Sequence, residues 1–147
     1  MGGLAAAKQG AAFAMQGVLE RDGHLGMLID QHFTRGVVVP FMGRPALTNP
    51  ILGKFARRFE CPVHGVRVIR LPNQRFRLQL TPPLDLPRDA AGEIDVQGAM
   101  AMMTAVVEGW VREHWLWMHR RWRPNMISAA AAAEAPAVAP SPVFKAT

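Results

Sequence analysis

Three groups of residues have types and spacings that could do chemistry. Asp30 closes the apolar run Leu25-Gly26-Met27-Leu28-Ile29 and precedes the polar pair Gln31-His32. An acid at the carboxyl end of a buried strand stands where open α/β sheets place ligand-contacting groups. The competing role for Asp30 is to accept backbone amides of its own loop. His32 could flank the same pocket or simply face water. His24 lies six positions before Asp30, on the same face of a strand but roughly 20 Å away by strand rise. That pair cannot act as a general base and its orienting acid unless the segment bends.

The second group is basic. Between Arg44 and Arg77 eight Lys or Arg residues stand against one acid, Glu60. Such a field selects an anionic partner: phosphate, anionic lipid, an acidic carrier protein or nucleic acid. Alternation places Arg67 and Arg70 on opposite faces of a strand and Arg75 and Arg77 on one face. Two basic strands suit bidentate phosphate contact, and equally a solvated edge kept soluble by charge. The third group is Trp115-Leu116-Trp117-Met118-His119-Arg120-Arg121-Trp122-Arg123-Pro124, which holds three of the four tryptophans. It reads either as a terminal helix docking its indoles with arginines reaching water, or as a lipid-interface element combining amphipathic rings and cations.

These groups need elements to position them. Leu4–Glu20 is rich in helix formers and is expected to be a helix that stops at Arg21-Asp22-Gly23. His24–Asp30 reads as a buried strand, Gln31–Gly36 as a loop, and Val37–Val39 as a short strand broken by Pro40. Thr48 or Asn49 caps a helix with Pro50 at its first position, running to Phe59 with Ile51, Leu52, Phe55, Ala56 and Phe59 on one face. Pro62–Leu71 and Arg75–Thr81 are strands around a Pro72-Asn73-Gln74 turn. In the second, Phe76, Leu78 and Leu80 alternate with Arg75, Arg77 and Gln79, which predicts one wetter face. A Pro-rich connection leads to a long helix over Val96–Glu113, lined by Val96, Met100, Met103, Val107 and Trp110. Residues 1–127 form one unit, and residues 128–147, mostly Ala, Pro and Ser, form a disordered tail. The class is α/β: a partial mixed sheet flanked by helices.

Composition narrows the functions. A chain of 147 residues with half its residues apolar supports one folded domain. The single cysteine, Cys61, excludes an internal disulfide and argues against a cysteine-paired zinc site; beside Pro62 it reads as a buried structural thiol. No uninterrupted apolar segment reaches the 18 or so residues of a membrane span. The N-terminus has no basic-then-apolar leader pattern. No glycine-rich phosphate loop, Gly-x-Ser-x-Gly elbow or metal-ligand spacing occurs. Nucleic acid is disfavoured because the aromatic residues do not interleave with the basic stretch as stacking platforms.

Four segments occur in an order that resembles the bacterial lipid A biosynthesis lauroyl/myristoyl (late) acyltransferases, within the wider lysophospholipid acyltransferase group. They are Gly26–His32, Gly36–Ala46, Arg75–Leu78 with Pro82-Pro83-Leu84, and Trp115–Trp122. The resemblance spans about residues 4 to 124 and implies the C-terminal half of that fold. It implies an enzyme on the cytoplasmic face of the inner membrane, using no metal or organic cofactor. Such an enzyme moves an acyl chain from acyl carrier protein to a hydroxyl of a lipid A precursor. In the family a His-x4-Asp/Glu pair supplies the base, the histidine deprotonating the acceptor and the acid orienting it. Asp30 matches the acid of an Asp-Gln/His motif. Phe41, Gly43 and Arg44 match the next loop, and His119-Arg120-Arg121 the C-terminal signature. With Arg75 and Arg77, the residues Asp30, Arg44, His119, Arg120 and Arg121 make the expected substrate-binding set, with no catalytic residue among them.

Two departures accompany the resemblance. None of the five histidines has Asp or Glu five positions later. The family's Pro-Glu-Gln between the positions of His114 and Trp115 is missing, which rotates the Trp/Arg cluster by roughly 300° if it is helical. The expectation is therefore a truncated acyltransferase without its base. A half sheet with an open edge would leave the chain unstable or oligomeric alone. The rival expectation is a non-catalytic basic module docked on anionic membrane.

Overall fold

In the computed structural model, which describes residues 10–111 and 121–122, the chain runs helix, two strands, helix, two strands, helix. These are α1 (Ala11–Leu19), β1 (His32–Phe41), β2 (Arg44–Thr48), α2 (Ile51–Phe59), β3 (Val66–Arg70), β4 (Phe76–Leu80) and α3 (Val96–Val111). The α/β class stands, with the helices flanking strands that pair as two separate antiparallel hairpins, β1–β2 and β3–β4. Among the described residues no strands pair in parallel. The expected tail over 128–147 lies outside the described residues, as do the first residues of the expected N-terminal helix.

The core is built on α3, which packs against β1 and α2. Its Ala, Met and Val residues leave few polar groups, and Ala99, Met100, Ala101, Met103, Ala105 and Val106 are all buried. Val39, Ala56, Val63 and Ile94 close around them. Asp95 starts the helix: its carboxylate accepts the backbone N–H groups of Gln97 (3.1 Å) and Gly98 (3.0 Å), satisfying donors that a first turn leaves without partners. Gln97 Nε2 donates 2.9 Å to the Val38 carbonyl and ties the helix to β1. Over α2 the cap position falls to Pro50 rather than to Thr48 or Asn49, so the helix begins one residue later than expected, at Ile51, whose N–H donates to Asn49 Oδ1 at 3.1 Å.

Several sequence expectations are corrected. His24–Gln31 is irregular chain, not a strand, and Leu28 is 81% exposed. No described strand lies beside this run to pair with its backbone, so its apolar character alone does not make it β. The expected loop over Gln31–Gly36 is instead mostly strand, and β1 continues through Pro40 to Phe41. In a two-stranded sheet every strand is an edge, where proline is tolerated, and Pro40 stands opposite Pro45. The strand β2 carries too little alternation to be expected from its residues. Cys61 is half-buried rather than buried.

Two glycines shape the β1–β2 hairpin. Met42 and Gly43 both have positive φ, 51° and 70°, between the paired residues Phe41 and Arg44. Positive φ at both central positions suits the right-handed twist of a tight hairpin. Before it, His32 and Val37 both register on Thr48, so residues 33–36 bulge out of the ladder. A Cβ on Gly36 would lie 2.2 Å from the Thr48 carbonyl oxygen, so only glycine permits this approach.

Candidate functional site

The described residues place one of the expected arginines at the centre of a buried polar cluster. Arg121 is 1% exposed. Its guanidinium donates to the Gln31 carbonyl (3.1 Å), the Leu47 carbonyl and Thr48 Oγ1. Its central carbon lies 5.4 Å from the centre of the Phe41 ring. One side chain thus joins the Asp30-Gln31-His32 segment to the far ends of both strands of the hairpin. Burial draws this guanidinium well below its ordinary value, to about 10, and the field of half-buried Asp30 acts to raise it. It therefore carries its charge at neutral pH, held by the Gln31, Leu47 and Thr48 oxygens and favoured by the field of Asp30.

The adjacent residue extends the cluster to the surface. Trp122 stacks on buried Phe41, with ring centres 5.7 Å apart and planes at 29°. The exposed Arg44 guanidinium lies 5.0 Å from the Trp122 ring centre, a cation–π contact. Below the turn, Glu108 of α3 is 6% exposed and accepts the Met42 backbone N–H at 2.9 Å. That bond fixes a non-glycine residue in the left-handed region. Asp30, Arg44, Arg121, Glu108 and the Phe41–Trp122 stack therefore form one charged and aromatic end of the molecule.

The remaining expected residues fall elsewhere. Arg75 and Arg77 stand exposed on the β3–β4 hairpin, Arg75 in the turn and Arg77 within β4. His119 and Arg120 lie outside the described residues. Sequence reasoning missed Glu108, although a lone acid inside the sixteen residues of α3, otherwise all apolar or neutral, is itself a signal for a buried acceptor. It also missed the part played by Thr48, whose residue type suggests only a helix cap. Arg57 is answered by Asp89 and Glu93, Arg58 by Glu20 at 3.9 Å, and Arg88 by Glu60. Arg44, Lys54, Arg67, Arg70, Arg75 and Arg77 have no carboxylate in ion-pair reach among the described residues.

A groove of about 650 Å³ opens between α2, α3 and the base of the second hairpin. Leu52, Phe55, Phe59, Met103, Val107 and Trp110 supply apolar walls, and Asp22, His24 and His64 bring polar groups to its lining. Among the described residues no group of three His, Cys, Asp or Glu side chains gathers as a metal site, and no helix is long and apolar enough to cross a membrane.

The described residues thus combine a small α/β unit with a buried arginine clamp, an exposed arginine on an indole and an apolar groove. The profile of the bacterial lipid A biosynthesis acyltransferases matches residues 5–124, and the chain belongs to that family. A comparison with curated proteins gives no match.

Proposed function

We propose that the chain takes part in transferring a fatty acyl group from acyl carrier protein to a lipid A precursor at the cytoplasmic face of the inner membrane. The family supports an acyltransferase acting in lipid A biosynthesis; donor, location and the state of this chain are our reading. The observation that carries it is the Arg121 clamp, because it joins three of the segments on which the family resemblance rests. Arg121 orders the Asp30–His32 segment, and Arg44, exposed over Trp122, contacts a phosphate of the acceptor. Arg75 and Arg77, exposed on the second hairpin, add a further basic surface for that acceptor. The apolar groove takes an acyl chain.

These residues contain no His-x4-Asp/Glu pair, so a base of that kind is not supplied here. The purified chain is expected to bind a diphosphorylated lipid A precursor without acylating it. Equilibrium binding and mass spectrometry of the lipid, with lauroyl-carrier protein present, test both halves. A laurate-bearing product would overturn the claim that this chain lacks its base. Binding unaffected by Arg44→Ala would remove Arg44 from the acceptor site. The second reading, a non-catalytic module on anionic membrane, is favoured by Arg44, Lys54, Arg67, Arg70, Arg75 and Arg77, which have no carboxylate in ion-pair reach among the described residues.

A further inference from the structure

The β3–β4 hairpin is two-faced in an unexpected sense. Alternation predicts an apolar face turned to the core and an arginine face turned to water, but the apolar side chains are the bare ones. Val66, Val68, Phe76, Leu78 and Leu80 are each 52–63% exposed. The register pairs Val66 with Leu80, Val68 with Leu78 and Arg70 with Phe76, so all five line one face. The opposite face is anchored. Arg67 donates to Gln79 at 2.7 Å and lies 5.5 Å from the centre of the Trp110 ring on α3. Thr81 closes the base by accepting Gly65 N–H at its hydroxyl and donating its own N–H to the Gly65 carbonyl, both at 2.9 Å. The hairpin is thus held firmly with its greasy side outward.

We propose that this face enters the headgroup and upper acyl region of an anionic lipid monolayer. Five apolar side chains in one contiguous strip exceed what single scattered surface residues would give. A cation borders the strip: Arg70 shares its face at the turn end, 5.9 Å from the Phe76 ring centre, while Arg75 and Arg77 alternate with the apolar residues and stand exposed at the same end of the hairpin. None of the three has a carboxylate partner among the described residues. Long arginine stems lie along an apolar surface while their heads reach phosphate. The same charges oppose a second copy, since a face-to-face pair would bring arginines from both copies together. The inference rests on the membrane-surface placement proposed above and adds to it the face that enters the lipid.

Vesicle sedimentation tests this, using phosphatidylglycerol mixed with phosphatidylcholine and pure phosphatidylcholine as the control. The chain is expected to bind the anionic vesicles, with affinity falling as salt rises. The double variant Val68→Ser/Leu78→Ser should weaken binding by on the order of tenfold, and Arg75→Gln/Arg77→Gln by roughly fivefold per arginine. Unchanged circular dichroism confirms that either variant is folded. A tryptophan at position 76 (Phe76→Trp) should be quenched by lipids brominated high on the chain. Vesicle binding that survives both double variants would overturn the hairpin assignment and leave the membrane-surface reading standing. No binding of the parent chain to anionic vesicles would overturn both. A dimer in sedimentation equilibrium, lost in Val68→Ser/Leu78→Ser, would make a second copy the occupant and overturn the lipid.

Discussion

The two hairpins have the same topology and opposite fates. Both are two-stranded and antiparallel, and both carry alternating apolar residues. Yet Val39, Phe41 and Ala46 of β1–β2 are at most 1% exposed, while the apolar face of β3–β4 is open. The difference lies in what reaches each from elsewhere in the chain. The first hairpin receives α3 on one side and Arg121 with Trp122 on another, from more than seventy residues away. Among the described residues the second receives Trp110 against its arginine face. Alternation in a strand therefore tells which side chains share a face, while long-range contacts decide which face is covered.

The largest expected effect comes from breaking the clamp. Arg121→Met keeps the length and apolar stem but strands the Leu47 carbonyl, Thr48 and the half-buried Asp30. Loss of a buried cation from its acceptors should destabilise the fold by about 3 kcal/mol, read as a lower urea midpoint. Arg121→Lys should recover only part, because one ammonium cannot hold three acceptors in a fork. A midpoint within error of the parent for Arg121→Met would mean that the first hairpin stands without the clamp, and the contrast between the hairpins would then rest on α3 alone.

The same isosteric change made in both hairpins sharpens the contrast. Val39→Thr places a hydroxyl where the residue is 0% exposed, and should destabilise by about 1–3 kcal/mol. Val68→Thr, at 62% exposure, should stay within about 0.5 kcal/mol. Equal effects at the two positions in urea unfolding would show that the second face is covered in solution as well.

Much of this was legible in the residues. The periodicity of Ile51–Phe59 and the Met and Val spacing from Val96 onward mark two helices; Phe55 and Ala56 of the first and Met100 and Met103 of the second are buried as expected, while the second buries Ala99, Ala101, Ala105 and Val106 as well, and the Pro72–Gln74 turn marks the second hairpin. The first hairpin was obscured because Pro40 and Pro45 look like strand breakers until they are seen facing each other in a sheet that has only edges. The false strand at His24–Asp30 has the converse cause: an apolar run needs a neighbour, and sequence does not show one. At the site, Asp30 and Arg121 were both singled out, but their coupling spans ninety residues and no spacing rule reaches that far. Arg44 was expected from the loop motif, and its indole partner was visible only as one of three clustered tryptophans.

The smallest effect concerns the ion pairs that lie on neither hairpin and so provide a control for both. Arg88 grips Glu60 through two hydrogen bonds, of 3.2 and 2.7 Å, and holds that carboxyl below its ordinary 4.5. A carboxylate lowered in the folded state adds stability above its unfolded value, and that contribution disappears as pH falls through the folded value. Arg121 is lowered too, by burial, but at about 10 it is charged near neutrality in the folded state as in the unfolded one. The clamp should therefore give no slope between pH 5 and 9, and the acid slope should come in part from Glu60. Glu60→Gln should lower the urea midpoint slightly at pH 7 and flatten its decline below pH 4.5, and both effects should shrink in high salt because the pair is exposed. If Glu60→Gln leaves the acid limb as steep as in the parent, the Arg88–Glu60 pair does not set it.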